Sequence, residues 1–110
     1  MLIRRCRVLY LEPREEVEFD LPGLLQGGDG LHSEVRWVAL APHLAREVEI
    51  DADERNLLGE LSAERWVDAG ELGDKAAKPL SRLLREGLVL ASGRRHAAHR
   101  EREEAFRAVH

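Results

Sequence analysis

The chain has 110 residues, which fits one small domain with a modest core of its own. A net charge of −4 argues against binding nucleic acid through bulk charge, because affinity for phosphates comes from clustered Lys and Arg. Cys6 is the single cysteine, which excludes an intrachain disulfide and leads us to expect a reducing, cytoplasmic setting; residues 1–16 do not read as a signal peptide and no stretch is apolar over a bilayer's length, so no membrane partner is expected.

Residues 2–11, LIRRCRVLYL, are rich in β-branched and aromatic side chains and predict a strand. A turn at 12–15, with one torsion fixed by Pro13, leads to EVEFD at 16–20. There Val17 and Phe19 face one side, opposite Glu16, Glu18 and Asp20, so the two segments predict a hairpin. Asp20 suits the cap of a single helical turn, with Pro22 early in it and Leu24 and Leu25 packed inward. QGGDG at 26–30 then breaks regular structure. VRWVALA (35–41) and REVEI (46–50) flank PHL and predict a second hairpin with Val48 and Ile50 inward.

From Asp51 the period becomes helical. DADE is a capping box of Asp51 and Glu54, and Leu57, Leu58 and Leu61 follow at helical spacing in a first helix that ends at Ser62. Trp66 and Val67 form a short extended link. DAGE, 68–71, repeats the capping logic before a short second helix that Gly73 ends. Asp74 is the expected cap of a third helix, with Ala76, Leu80, Leu83 and Leu84 as its apolar stripe. Pro79 requires that helix to begin close to it, an interior proline costing about 3 kcal/mol. Gly87 is a helix stop and LVLAS (88–92) a wing strand. Residues 94–110 have a helical composition, polar almost all round. Phe106 and Val109 need a partner and no capping signal closes the helix. This segment therefore reads as a linker helix, loosely attached or packed on another chain, in a piece of a longer protein.

Few residues suggest chemistry. His96 and His99 stand three apart, but no Cys or carboxylate set completes a metal site. His32 and His43 fall in loops. Cys6 has no base beside it in sequence and reads as a buried, inert thiol. Asp51, Glu54, Asp68 and Glu71 are explained as caps. No phosphate loop, dinucleotide fingerprint or nucleophile elbow occurs, and GGDG precedes a strand rather than a helix. These residues point to no catalytic role and to no cofactor in this chain. The third helix carries Lys75, Lys78, Arg82 and Arg85 against Glu86, and Arg94 and Arg95 follow the wing. That local basic face suits plain solvation, or an anionic ligand such as DNA phosphate or an acidic peptide.

The run from 46 to 90 reads as a strand, three helices, then L-x-x-G-L-hydrophobic at 84–89. It resembles the RiPP recognition element, the leader-binding domain of pathways for ribosomally synthesised and post-translationally modified peptides. That domain is typified by the small chaperone of pyrroloquinoline quinone biosynthesis. The N-terminal RRCRVLYLEPREEVEFDL, with WVALAPHL, is similar to the start of SagB-type peptide-maturation dehydrogenases. In those flavin enzymes a nitroreductase-like domain follows the recognition domain. The insertion GLLQGGDGLHSE (23–34) is longer than in the minimal family.

The resemblance implies an α+β winged helix-turn-helix over residues 1–93, with 94–110 leading toward an absent catalytic domain that would hold FMN. It implies a non-catalytic module whose partners are a precursor leader peptide and a peptide-modifying enzyme. The leader would add as an antiparallel strand to Arg46, Glu47, Val48, Glu49 and Ile50 and lie against Lys78, Ser81, Arg82 and Arg85, with Leu84 and Leu88 in the core. Backbone bonds would give affinity and side-chain pockets specificity. The charges of REVE would guard the edge. Two other readings stand beside it. One is a DNA-binding winged helix of a transcription regulator, using Arg82, Arg85 and Arg94. The other is an oligomerisation domain, which leaves room for a homodimer through the C-terminal helix.

Overall fold

The computed structural model describes residues 1–28 and 30–110. Among them it shows an α+β arrangement of two three-stranded antiparallel sheets and four α-helices. Asp29, inside the predicted break at 26–30, lies outside the described residues.

The predicted first strand divides between the two sheets. β1 (Leu2–Arg5) and β2 (Tyr10–Phe19) are separated by a crossing where the Cys6 N–H donates to Leu88 O at 3.1 Å and Val8 and Leu9 sink into the core. β1 is the centre of the first sheet, between β5 (Val67–Asp68) and β6 (Val89–Ala91). Ile3 pairs with Val67 on one side and Ala91 on the other. The predicted wing strand thus pairs with the N-terminal strand, and the predicted extended link supplies the third strand.

In the second sheet β3 (Leu31–Ala41) lies between β2 and β4 (Arg46–Ile50). β2 and β3 stay in register from Tyr10↔Leu40 to Phe19↔Leu31. The predicted turn at 12–15 is therefore the middle of a strand, and the reversal comes later, at α1 (Leu21–Leu25), where Asp20 accepts from the Gly23 N–H at 3.1 Å. Pro13 is tolerated because β2 is an edge strand, whose outer side needs no ladder donor. The second predicted hairpin forms as read, β3 turning into β4 through Pro42–Leu44.

β4 covers only the stretch of β3 from Trp37 to Ala41, so the distal part of β2 and β3 stands out as an arm. The molecule measures 58 × 36 × 20 Å. Its radius of gyration is 17.7 Å, against about 13 Å for a compact chain of similar length. Val17 and Phe19 share a face as predicted, but they are 58% and 82% exposed, and Leu24 and Leu25 point outward rather than packing inward. The rest of the chain does not reach far enough to cover them.

α2 (Ala52–Glu60) begins with the predicted capping box: Glu54 N–H donates to Asp51 Oδ1 at 2.8 Å, and Asp51 N–H to Glu54 Oε1 at 3.0 Å. Leu57 and Leu58 enter the core. The predicted second helix is a single 3-10 turn, Ala69–Leu72, capped by Asp68. α3 (Ala77–Glu86) enters from another such turn, Asp74–Ala76, with no side-chain cap, so Asp74 does not play the role assigned to it. Pro79 is the third residue of α3, in the first turn, where an N–H lacks a helical partner in any case. Gly87 ends α3 at φ 78°, and Leu88 N–H returns to Leu83 O at 3.0 Å. A Cβ at Gly87 would also meet His99 Nδ1 at 2.8 Å.

α4 (Ala97–Val109) is docked, not loose. Glu103 is fully buried, and Phe106 packs against the core. The core joins Ile3 of the central strand β1, Leu58 of α2, Leu83 of α3, Leu88 just before β6 and Leu90 within it, and Ala39, Val48 and Ile50 from the second sheet. Burying each large side chain there contributes roughly 1.5–3 kcal/mol.

Candidate functional site

The five residues expected to receive a strand form β4, an edge strand with β3 on one side only. α3 runs along its other side in the opposite sense. Arg82 Nη2 donates to Glu49 O at 3.0 Å near one end, and Arg46 Nη2 donates to Glu86 O at 2.5 Å near the other. Between α3 and the start of α2 lies a cleft of about 340 Å³. It is lined by Lys78, Ser81, Arg82 and Arg85, the four residues expected as the groove wall, together with Asp51, Asp53, Glu54 and Pro79.

The contact to Glu49 O identifies which backbone groups are open. In a strand, N–H and C=O of one residue point the same way and alternate with those of its neighbours. Glu49 O faces α3, so Glu47 and Glu49 carry the groups directed away from β3. Arg46, Val48 and Ile50 turn theirs to Ala41, Ala39 and Trp37. Side chains alternate independently: Val48 and Ile50 are buried, while Glu47 and Glu49 are exposed on the outer face. There Glu47 pairs with Arg14, and Arg36 lies 3.6 Å from Glu49 and 3.4 Å from Glu16. The glutamates of REVE are thus rungs of a cross-strand charge ladder rather than side chains aimed into the groove.

The basic wall is not uniform. Arg82 Nη1 lies 2.7 and 2.6 Å from the two oxygens of Glu54, whose side chain is 2% exposed. Arg82 is therefore spent on α2 and on β4. The Glu54 carboxylate beside it is the main reason its guanidinium is held above the ordinary value. Arg46 is likewise engaged, its Nη1 3.1 Å from Glu86 Oε2. Among the described residues no ion pair engages Lys78 or Arg85, and both are exposed at the cleft with Ser81. Sequence reasoning placed Glu54 only as a cap. Nothing in the spacing of Glu54 and Arg82, 28 residues apart, signals that α3 will lie across the start of α2.

Other residues of interest lie elsewhere. Cys6 is buried, with Sγ 3.6 Å from His43 Nε2, and burial pushes its thiol up to about 12. It should resist alkylation at about pH 8 in the native protein and react once urea unfolds the chain, since the thiolate is the reactive form; rapid native labelling would contradict this burial. The His96 and His99 rings lie 5.3 Å apart, centre to centre. Arg94 begins the turn Arg94–His96, outside the cleft lining. Among the described residues no helix is long and apolar enough to cross a membrane. The chain matches no protein-family profile, no curated protein and no solved structure.

Proposed function

We propose that this chain is a winged-helix leader-recognition domain, without catalytic activity of its own. It captures the leader of a ribosomally made peptide by strand addition to β4 and presents it to a flavin-dependent modifying enzyme. The observation that carries this reading is that β4 is an edge strand beside α3: Glu47 and Glu49 turn their backbone groups away from β3, Arg82 already donates to Glu49 O, and the helix wall continues into the cleft between α3 and α2. A peptide there gains main-chain hydrogen bonds from the edge and selectivity from the helix wall. The order of strand, helix, turn and helix from β4 to α3, followed by β6, supports the winged-helix assignment.

The charges refine it. Lys78 and Arg85, rather than Arg82, are free to meet acidic side chains of the peptide, and exposed pairs of this kind contribute about 0.2–1 kcal/mol each. Glu49 O keeps a second lone pair beside Arg82, so an incoming N–H can share it. Among the described residues no side chain donates to the Glu47 carbonyl, so Glu47 offers the cleaner docking point, next to the Arg46 bridge to Glu86. The DNA reading is weakened because Glu54 neutralises Arg82 and Asp51 and Asp53 line the same cleft.

Proline scanning of β4 tests the proposal. Glu47→Pro removes an outward donor from an edge strand, so it should leave the fold intact and weaken leader binding at least ~10-fold, the equivalent of one good hydrogen bond. Val48→Pro removes a donor turned to β3 and should unfold the hairpin. The readout is fluorescence anisotropy with the labelled precursor leader and, in parallel, a short DNA duplex at low and moderate salt. Duplex binding that falls steeply with salt, with no response to the leader, would overturn the assignment.

A further inference from the structure

The arm of β2 and β3 has two unlike faces. Residues paired in register share a face, so Val17, Phe19, Leu31 and Val35 lie together, continuous with the core-facing positions Ala39 and Val48. The opposite face carries Arg14, Glu16, Glu34 and Arg36, in ion pairs. The four apolar side chains are 51–82% exposed. At the tip, α1 buries none of its residues, and Leu21, Leu24 and Leu25 are exposed as well. Beyond β4 the arm is only two strands wide, and an isolated two-stranded hairpin is at best marginally stable in water.

We propose that the apolar face of this arm is a self-association surface, on which two copies of the chain pack arm against arm about a two-fold axis. A second copy is the occupant that the surface fits. The patch has no free charge with which to select a charged partner: its one carboxylate, Glu15, accepts a hydrogen bond from Ser33 Oγ at 2.5 Å. Apolar packing on apolar is self-complementary, as an isologous interface requires. The four arm side chains and the three exposed leucines of α1, at on the order of 100 Å² each, set an upper bound of roughly 700 Å² per copy, somewhat below the ~800 Å² per partner of a standard stable interface. The open edge of β2 carries Pro13 and alternate glutamates, which disfavour strand-by-strand extension and leave the face as the contact. The pairing would add the missing layer over a two-stranded ribbon. It places any homodimer on the arm, because α4 spends Glu103 and Phe106 on its own chain. This surface stands whether or not β4 binds a leader.

The test is sedimentation equilibrium of the full chain. A reversible monomer–dimer equilibrium is expected, with a dissociation constant in the roughly micromolar-or-tighter span that interfaces near this size cover. Phe19→Glu should weaken it by ~100-fold, as loss of a central anchor does, while Glu18→Ala on the opposite face leaves it unchanged. Circular dichroism and melting report whether the variant keeps its fold; if Phe19→Glu does not, Val35→Lys on the partner strand decides. Val17→Cys supplies an accessible thiol where Cys6 is buried, and a short bismaleimide should then trap covalent dimers. A monomer at every concentration, the arm then being left to a different protein, overturns the proposal. So does a dimer insensitive to both arm variants.

Discussion

Replacing Glu103 with alanine should destabilise the protein by about 3–5 kcal/mol, the penalty typical of breaking a buried ion pair from one side. Arg4 Nη2 donates to Glu103 Oε1 at 2.6 Å and Nη1 to Oε2 at 3.2 Å, while the Arg7 N–H donates to Oε2 at 2.7 Å. The side chains are 4% and 1% exposed, so water cannot replace a lost partner. Arg4 also holds Ala63 O at 3.1 Å and lies over the Trp66 ring, so its guanidinium ties β1, α4 and the segment after α2 together. Each kcal/mol lowers Tm by roughly 4–8 °C in a domain of this size. Thermal melts of Glu103→Ala, Arg4→Ala and a paired Arg4→Met, Glu103→Leu variant separate two explanations. The single variants strand a charge; the apolar pair should recover most of the loss. If the single variants melt like the parent protein, α4 is not anchored by this pair.

The same pair gives the protein a defined acid sensitivity. Burial disfavours the Glu103 carboxylate, but the donors from Arg4 and the Arg7 backbone outweigh it and hold the carboxyl below its ordinary 4.5. A carboxyl whose folded value lies below its unfolded value stabilises fully above about pH 4.5 and loses that contribution as pH falls through the lower folded value. Urea titrations of the parent protein should show stability dropping in that acid window. Glu103→Gln should be weaker at neutral pH and flatter through the same window.

Arg82→Ala should cost about 2–4 kcal/mol, a range set by leaving a buried carboxylate with fewer charged hydrogen bonds. Glu54 is 2% exposed and would keep only the Asp51 N–H, while the β4 edge would lose the cover on Glu49 O. Arg85→Ala, three residues on and exposed, should stay within ~0.5 kcal/mol of the parent. Denaturation midpoints of the two variants check this directly. Equal stabilities would mean that the Arg82–Glu54 contact is incidental. The difference also governs how binding experiments are read: loss of leader affinity in Arg85→Ala reports on the groove, whereas in Arg82→Ala it reports on folding as well.

What the sequence by itself determined are the features held by neighbours in the chain. The capping box of Asp51 and Glu54, the Gly87 stop, the β3–β4 hairpin and the amphipathic α3 all follow from chemistry within a few residues. β4 and α3 were legible as elements for the same reason, but their pairing as an edge and a helix wall came only from the resemblance. The tertiary structure alone decided the rest. Residues 2–11 have one continuous strand pattern, but they split because Cys6 is drawn to Leu88 and Tyr10 to Leu40, partners far along the chain. Alternation put Val17 and Phe19 on one face, yet only the short reach of β4 left that face in water. Arg82 and Arg85 are equivalent cations in a helical pattern. Packing made one the partner of a buried carboxylate and left the other free. Glu103, on a helix that reads as solvent-facing, is buried because Arg4 waits in the central strand of the first sheet, and a charge pair 99 residues apart leaves no periodic trace.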